Sequence, residues 1–329
     1  MATCWVSVRG DREPTLLEVD LERGAIERRL PVHDAVTFAP PSNKGGTAGL
    51  AWLGQHLVVA TWDSVAVVDP ATGSTEQVWT DRRFSDLHGL CVDHRGRILV
   101  TSTNVDGVFS ITEGGIEPLW YPTPEHHALI EADERDLRRH SKHDVPYHSL
   151  HVNDVEVLGD TMLITFLGTR GRGPAIARLA AKLLGANPAR DRRLGWRWYD
   201  GGVIVVDEAT GQQRQALDCE GLHDAVAKGD GSVHSTEYFG AALSEYRDGT
   251  LRRVPLDPGP GPAYLTRAIL FVDDRMWVGH TVLRHAEEHA PPALLREYAL
   301  DGTWLGGEVL LPDCVGPYAL VPSESPTGG

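Results

Sequence analysis

The sequence predicts an all-β protein, a β-propeller of six four-stranded blades closed by strands from both termini. A repeated hairpin pattern is the first reason. Its clearest copy is Asp86–Thr103, an apolar run, a tight polar turn and a second apolar run ending in small hydroxyl residues. Further copies begin at Asn153, His223 and Arg267, and a weaker one begins at Ala48. Each copy is followed by two more strand-like runs, and units of roughly 40–50 residues with four strands are typical of propellers.

The order of the units supports closure of the ring. Five complete units are predicted at 48–79, 88–121, 151–217, 223–255 and 267–311. The ends supply three N-terminal runs and one C-terminal run, 316–321, which together make the sixth unit and remove exposed sheet edges. We therefore expect residues 1–322 to form a single domain and residues 323–329 to be a disordered tail.

Composition limits the class of partner and the compartment. The chain has 329 residues, of which 41% are hydrophobic and 23% are charged, and its net charge of −15 argues against nucleic acid and anionic membranes as partners. No apolar run approaches the ~18 residues of a membrane span, and the N-terminus does not read as a secretory signal. The four cysteines lack CxxC spacing, which favours reduced thiols and a cytoplasmic protein.

Loop length predicts where a site lies. Turns between first and second strands and between third and fourth strands are short, so they make a plain lower face. The long connections, 33–47, 122–149, 168–201 and 282–292, all fall on the opposite, upper face. Elaborate loops over one end of a rigid scaffold usually build a binding or catalytic site.

Polar residues recur at the start of the inner strands on that upper face. His88, Asn153 and His223 share one register and should meet near the channel axis, with His151 on the same strand face as Asn153 if the strand is extended. Such imidazoles suit zinc, iron or copper better than calcium, so these four residues are predicted to bind one divalent transition metal. The alternative is that each histidine caps a backbone group or lines a wet channel.

Three acidic residues and two further polar residues complete the predicted site. Asp154 and Asp224 follow the proposed ligands directly, and Glu237 lies near the same end, so all three are candidates for proton transfer. Arg267 and His280 are candidates for substrate binding, although His280 could instead be a ligand. A solvated carboxylate at a strand end is the competing interpretation of Glu237.

Two insertions carry separate predictions. Residues 122–149 are rich in histidine and charge, with a short helix expected around Ala128–Arg139, and we interpret them as a lid with solvated side chains. Residues 168–201 are strongly basic and contain a predicted helix at Pro174–Leu184, followed by Arg197 and Trp198 as candidate substrate-binding residues. The same basic segment would suit a protein partner, or a solvated helix packed on the rim.

The repeat, with NDVEV and HDAVAKGDGSVHSTE as inner hairpins, resembles the superfamily of senescence marker protein/gluconolactonase, paraoxonase and strictosidine synthase. The resemblance implies a six-bladed propeller whose inner strands bind a divalent metal through Asn, Asp and Glu. Asn153 matches the family's Asn, whereas His88 and His223 stand where Asp is expected. The blade with Pro317 and Tyr318 lacks the family's Glu, which argues against calcium and for a softer metal.

These observations favour a metal-dependent enzyme acting on a small polar, anionic molecule, with hydrolysis or lactone opening as the first choice. An oxygen-activating oxygenase or oxidase with a His-ligated iron or copper centre is the alternative within enzymes. A propeller that binds a ligand or protein without catalysis is the third hypothesis. It predicts that replacing His88 and His223 is harmless, whereas reversing the charge of residues 190–193 abolishes function.

Overall fold

The structure is a computed structural model that describes residues 2–9, 13–32, 45–140, 144–147, 149–168, 201–219, 221–238, 241–260, 265–281 and 292–325. Within these ranges, twenty-four strands form six antiparallel four-stranded sheets around a common axis. The six-bladed propeller predicted from the sequence is therefore confirmed. The strands follow the Val-, Ile- and Leu-rich runs, because β-branched side chains pack well on a pleated surface.

The blades follow one another along the chain. Three N-terminal strands are β1 (Thr3–Arg9), β2 (Thr15–Asp20) and β3 (Ala25–Pro31). Blade 2 contains β4 (Leu50–Leu53), β5 (His56–Ala60), β6 (Ser64–Val68) and β7 (Thr75–Thr80). Blade 3 contains β8 (Leu87–Val92), β9 (Ile98–Ser102), β10 (Gly107–Thr112) and β11 (Gly115–Trp120).

The second half has the same plan. Blade 4 contains β12 (Val152–Leu158), β13 (Thr161–Phe166), β14 (Gly201–Asp207) and β15 (Gln212–Cys219). Blade 5 contains β16 (Leu222–Ala227), β17 (Val233–Glu237), β18 (Ala242–Arg247) and β19 (Thr250–Pro255). Blade 6 contains β20 (Leu265–Val272), β21 (Arg275–Thr281), β22 (Ala293–Ala299) and β23 (Trp304–Leu311), and the chain ends in β24 (Gly316–Pro322).

The two termini close the ring as predicted. Strand β24 pairs antiparallel with β1, with Val6 opposite Leu320, and becomes the innermost strand of blade 1. Apolar side chains fill the spaces between neighbouring sheets. Leu163 of blade 4 packs with Leu222 and Val233 of blade 5, for example, and all three are buried. Burying a side chain of this size contributes about 1.5–3 kcal/mol.

The segment after blade 3 differs from the prediction. Its α-helix, α1, spans Pro124–Ala132 rather than Ala128–Arg139. The helix begins there because the Thr123 side chain accepts a hydrogen bond from the His126 N–H and proline occupies the first turn, where no intrahelical bond is lost. Ile130 and Leu137 are buried against blades 2 and 3, so the described part of the segment is packed on the propeller.

No helix in the described ranges has the length and apolar character needed to cross a membrane. The predicted helix at 174–184 lies outside the described residues.

Candidate functional site

The inner strands present one residue each around the axis at the upper end of the channel. The equivalence follows from a repeated hydrogen bond between blades, in which a hydroxyl group on the second strand donates to a backbone carbonyl of the next inner strand. Donor and acceptor pairs are Ser7 with Ala48, Thr101 with Asn153, Thr165 with His223 and Thr236 with Arg267. His88 and Tyr318 complete the set, because the residue after each donates its N–H to the hydroxyl of its own blade.

Most inner strands have a β-bulge close to the residue that faces the axis. The pairing register shifts by one residue in β8, β12, β16 and β20, and again between β24 and β1. A bulge redirects a side chain and breaks the alternation of faces. Two consecutive residues can therefore line the channel, as Asn153 with Asp154 and His223 with Asp224 do.

Three predicted ligands, the histidines, do lie together. The ring centroid of His88 is 5.6 Å from that of His151 and 5.8 Å from that of His223. Tyr318, which the sequence analysis did not assign to the site, contacts both His88 and His223, with centroids 5.7 and 5.1 Å away. The upper end of the channel is thus an aromatic and imidazole cluster, which we call the mouth (His88, His151, Asn153, His223, Arg267 and Tyr318).

His88 is held in one orientation. Its Nδ1 lies 2.9 Å from the Asp86 carbonyl oxygen and 2.8 Å from Thr103 Oγ1. Thr103 directs its own hydrogen to the Val152 carbonyl, 2.6 Å away, so its oxygen can only accept from His88. These partners assign the hydrogen to Nδ1 and leave Nε2 as the basic nitrogen of His88.

His151 reaches the mouth by a different route from the one predicted. Its φ of +59° is not that of an extended strand, so the expected shared face with Asn153 is wrong. The segment is fixed by Asp106, whose carboxylate accepts hydrogen bonds from four consecutive backbone N–H groups, those of residues 149–152. This arrangement holds the His151 ring against His88 although the residue precedes strand β12.

Arg267 makes the mouth electropositive. Its guanidinium stacks on Tyr318 and Tyr238, with the carbon 4.2 and 4.8 Å from the ring centroids. Nη1 donates to His223 Nε2 at 3.2 Å and Nη2 donates to the Tyr238 hydroxyl at 2.9 Å. The buried Nε has no hydrogen-bond partner among the described groups. Burial, followed by the charge of Arg267, lowers the pKa of His223 well below its usual value, so this imidazole is neutral.

A second arginine supports the mouth from the end of β1. Arg9 is fully buried, pairs with Asp86 at 2.8 Å and lies 4.7 Å from the centre of the Tyr318 ring. The Asp86 carboxylate is in turn 3.7 Å from His88 Nδ1. An imidazolium at His88 would therefore have a carboxylate beside it, while Asp86 keeps its own counter-ion.

The described donors do not fit a transition metal. His223 Nε2 already accepts a hydrogen bond from a guanidinium, and a metal there would lie beside that fixed positive charge. Among the described residues, no group of three or more His, Cys, Asp or Glu side chains has an arrangement that could hold a metal ion. The metal predicted at His88, His151, Asn153 and His223 stays a prediction, and no step of the mechanism below depends on it.

Below the mouth the channel is acidic. Asp154 accepts hydrogen bonds from the N–H groups of Val155 and Ala225, and Asp224 accepts one from Ile269. Each aspartate thus joins its blade to the next. Burial raises the pKa of Asp154 to about 7, and burial together with Asp154 raises the pKa of Asp224 well above its usual value.

Two predicted residues lie away from the mouth. Glu237 is buried, but its carboxylate accepts from Arg253 Nε at 2.7 Å and from Ser244 on the outer strands of blade 5. His280 Nε2 lies 3.1 Å from the Tyr298 hydroxyl within blade 6, and burial lowers its pKa to about 3. Both interactions are within a blade, so neither side chain belongs to the site described here. Arg197 and Trp198 lie outside the described residues.

The sequence-based prediction did not include the residues that hold the mouth from behind, although the repeat pattern indicates them. Arg9, Thr103 and Tyr238 each stand two residues after the hydroxyl residue that bonds to the next blade, namely Ser7, Thr101 and Thr236. The repeat alignment therefore places them on one ring behind the axial residues. Tyr318 was detectable in the same way, by extending the alignment to the C-terminal strand.

Comparisons with known proteins agree on the fold. No family model and no curated protein matches the sequence. A Bacteroides caccae protein of unknown function is similar with a TM-score of 0.62 and 10% identity, covering 97% of this chain and 98% of that one. The structure of the nidogen/laminin complex gives 0.59 and 8%, covering 98% and 99%. A candidate gluconolactonase gives 0.49 and 11%, covering 82% and 79%. At these identities the likeness to the first two structures shows the fold alone.

Proposed function

We propose that the protein is an enzyme that binds a small molecule carrying a carboxylate or phosphate at the mouth and hydrolyses an ester or opens a lactone by general-base catalysis. The observation that carries the proposal is Arg267, which is 7% exposed and whose Nε has no hydrogen-bond partner within the described ranges, while Nη1 and Nη2 donate to His223 and Tyr238. The edge formed by Nε and Nη2 is the one that receives a carboxylate through two parallel hydrogen bonds.

His88 is the proposed base. Its Nε2 removes a proton from water as the water oxygen attacks the substrate carbonyl carbon, and the Asp86 carboxylate stabilises the resulting imidazolium. The carbonyl oxygen becomes an oxyanion near the positive charge of Arg267. Collapse of the intermediate breaks the bond to the leaving alkoxide, which takes the proton back from His88. Tyr238 and Tyr318 hold the guanidinium plane and exclude water from it.

The test is hydrolysis of a panel of lactones and esters with and without a carboxylate. We expect the carboxylate-bearing members to be preferred, and Arg267→Gln to raise KM and abolish that preference. His88→Gln should reduce kcat by about 10²–10⁴-fold, the usual worth of a positioned base. Arg252→Gln is the matched control, because Arg252 is largely exposed on the outer strand of blade 5.

Four results would contradict the proposal. Retained activity in His88→Gln would exclude the base, and loss of activity on chelation with recovery on zinc addition would favour the metal-dependent hydrolase. Recovery with iron or copper and consumption of oxygen would favour the oxygenase. Absence of turnover together with tight binding of a protein would favour the non-catalytic propeller.

A further inference from the structure

A cavity extends from the mouth down the axial channel, and its chemistry changes below the mouth. It has a volume of about 330 Å³, room for on the order of ten waters at ~30 Å³ each. The mouth residues His88, Asn153, His223 and Tyr318 line its upper end. Its lower end is lined by residues at or near the ends of the inner strands, namely Trp52, Val92, Ala227 and Pro322. The lower residues retain solvent exposure, so the cavity opens on the face opposite the long connections.

Carboxyl groups line one wall of this cavity. Asp154 and Glu156 are two residues apart on β12, which places their backbones about 6–7 Å apart along the channel. Asp224 of β16 stands beside Asp154. The inner strands of blades 1 to 3 add apolar residues to the lining, among them Leu50, Leu90 and Leu320.

A separate observation indicates a ligand that is a hydrogen-bond donor. Oδ1 of Asn153 is buried and accepts no hydrogen bond from the described residues, while its Nδ2 donates to the Leu222 carbonyl at 2.7 Å. Asn153 is only 1% exposed and lines the cavity directly above Asp154. A buried amide oxygen that accepts no hydrogen bond destabilises the folded protein. The presence of such an oxygen at Asn153 therefore favours a ligand in the channel that donates a hydrogen bond to it.

We propose that the lower channel binds a slender aliphatic ammonium ion, which enters from the lower face with its charged group beside the carboxyls of Asp154, Asp224 and Glu156. The ammonium group supplies three N–H donors, which suit the Asn153 amide oxygen and the carboxylate oxygens, and no acceptor. Its alkyl chain contacts the apolar part of the lining, which includes Leu50, Leu90 and Leu320. A metal ion suits the cavity less well, because the carboxyls are spread along a wall and no described group of three forms a metal site.

His88 and Tyr318 line the upper end of the same cavity, but substitution separates the ammonium site from the proposed hydrolysis. Arg267 does not line the cavity, and Glu156 has no part in the mouth. Arg267→Gln should therefore leave ammonium binding unchanged, and failure of either proposal leaves the other testable.

The experiment is calorimetric titration of the full chain with n-butylammonium chloride. We expect saturable binding that is at least tenfold weaker for n-butanol, which has the chain without the charge. Glu156→Gln should weaken butylammonium binding at least tenfold without lowering the thermal unfolding midpoint, since glutamine keeps an acceptor for the Ala227 N–H that bonds to Glu156. Glu117→Gln, on the exposed outer strand of blade 3, should bind as wild type.

A second variant keeps the test valid if Glu156→Gln is unstable. Ala227→Phe fills the lower opening and should also abolish binding. The proposal is overturned if butylammonium does not bind, if butanol binds equally well, if both variants bind as wild type, or if calcium binds and displaces butylammonium.

Discussion

The mouth and the lower channel are made from adjacent residues of the same strands, yet their charges are opposite. At the mouth, His223 meets Arg267, and burial keeps the imidazole neutral beside a fixed cation. One residue further along, Asp224 and Asp154 share a buried site in which both carboxyl pKa values are raised. A bulge in an inner strand turns two consecutive side chains towards the axis. One dipeptide, such as His223 and Asp224, can therefore line two levels of the channel with different chemistry.

The layers also differ in how they are supported. Mouth residues are held by side chains from the second strands, as Arg267 is by Tyr238. Channel carboxylates are held by backbone N–H groups of the next blade, as Asp154 is by Ala225. Substitutions should therefore affect the mouth and the channel separately.

Arg9→Met should cost the most stability, about 3–5 kcal/mol of the free energy of unfolding, because it leaves the buried Asp86 carboxylate without its guanidinium. Chemical denaturation measures this loss. Arg252→Met, at a largely exposed arginine, is the control and should cost little. A loss below about 1 kcal/mol in Arg9→Met would mean that the mouth does not depend on this ion pair.

Gly89→Ala should damage the channel rather than the mouth. A Cβ at Gly89 would lie 1.7 Å from Asp154 Oδ1, so the carboxylate must leave its backbone partners. Overpacking of this kind costs about 1–3 kcal/mol. Gly229→Ala, where an added Cβ meets nothing within 4 Å, should be close to neutral. Equal stability of the two variants would show that Asp154 does not occupy this position.

Thr165→Val should cost about 1 kcal/mol, the net value of one buried hydrogen bond. It removes the hydroxyl that donates to the His223 carbonyl at 3.1 Å while keeping the shape of the side chain. Thr112→Val, at an exposed threonine, is its control. If both substitutions have the same effect, the bond between blades does not contribute to stability.

Asp224→Asn should change only the pH dependence of stability. A carboxyl whose folded-state pKa is raised stabilises the fold while protonated, and this contribution is lost as pH rises above the unfolded value of about 4. Asparagine keeps an acceptor for Ile269 and offers an N–H to Asp154, so the variant should match wild type near pH 4 and exceed it at pH 8. Denaturation at pH 4, 6 and 8 measures this; a constant difference would contradict a titrating pair.

Much of the fold was predictable because its signals are local. Repeated apolar runs and turn residues define each hairpin, and the unequal numbers of strands at the two ends predict closure between β1 and β24. The equivalence of His88, Asn153, His223 and Arg267 was also readable, since it depends only on register. The predicted position of helix α1 was wrong because the prediction did not use Thr123 as the capping residue and Pro124 as the first helical residue.

The chemistry of the site was less predictable because it depends on groups distant in the chain. Arg9 lies 77 residues from Asp86, and only closure of the ring brings them together. Alternation of faces fails for His151, whose φ is positive, and for Asp154 and Asp224, which follow a bulge. The kind of ligand that an imidazole cluster favours depends on the charged groups around it. With Arg267 bonded to His223 it favours an anion, which the histidines alone do not indicate.

The central claim, an anion site above an acidic channel, is tested most directly by anomalous scattering from crystals soaked in sodium bromide, with a fluorescence scan for metals on the same crystals. We expect a bromide peak at the Nε and Nη2 edge of Arg267 and none beside Asp154, Glu156 or Asp224. A metal peak between His88, His151 and His223, or bromide in the lower channel, would contradict it.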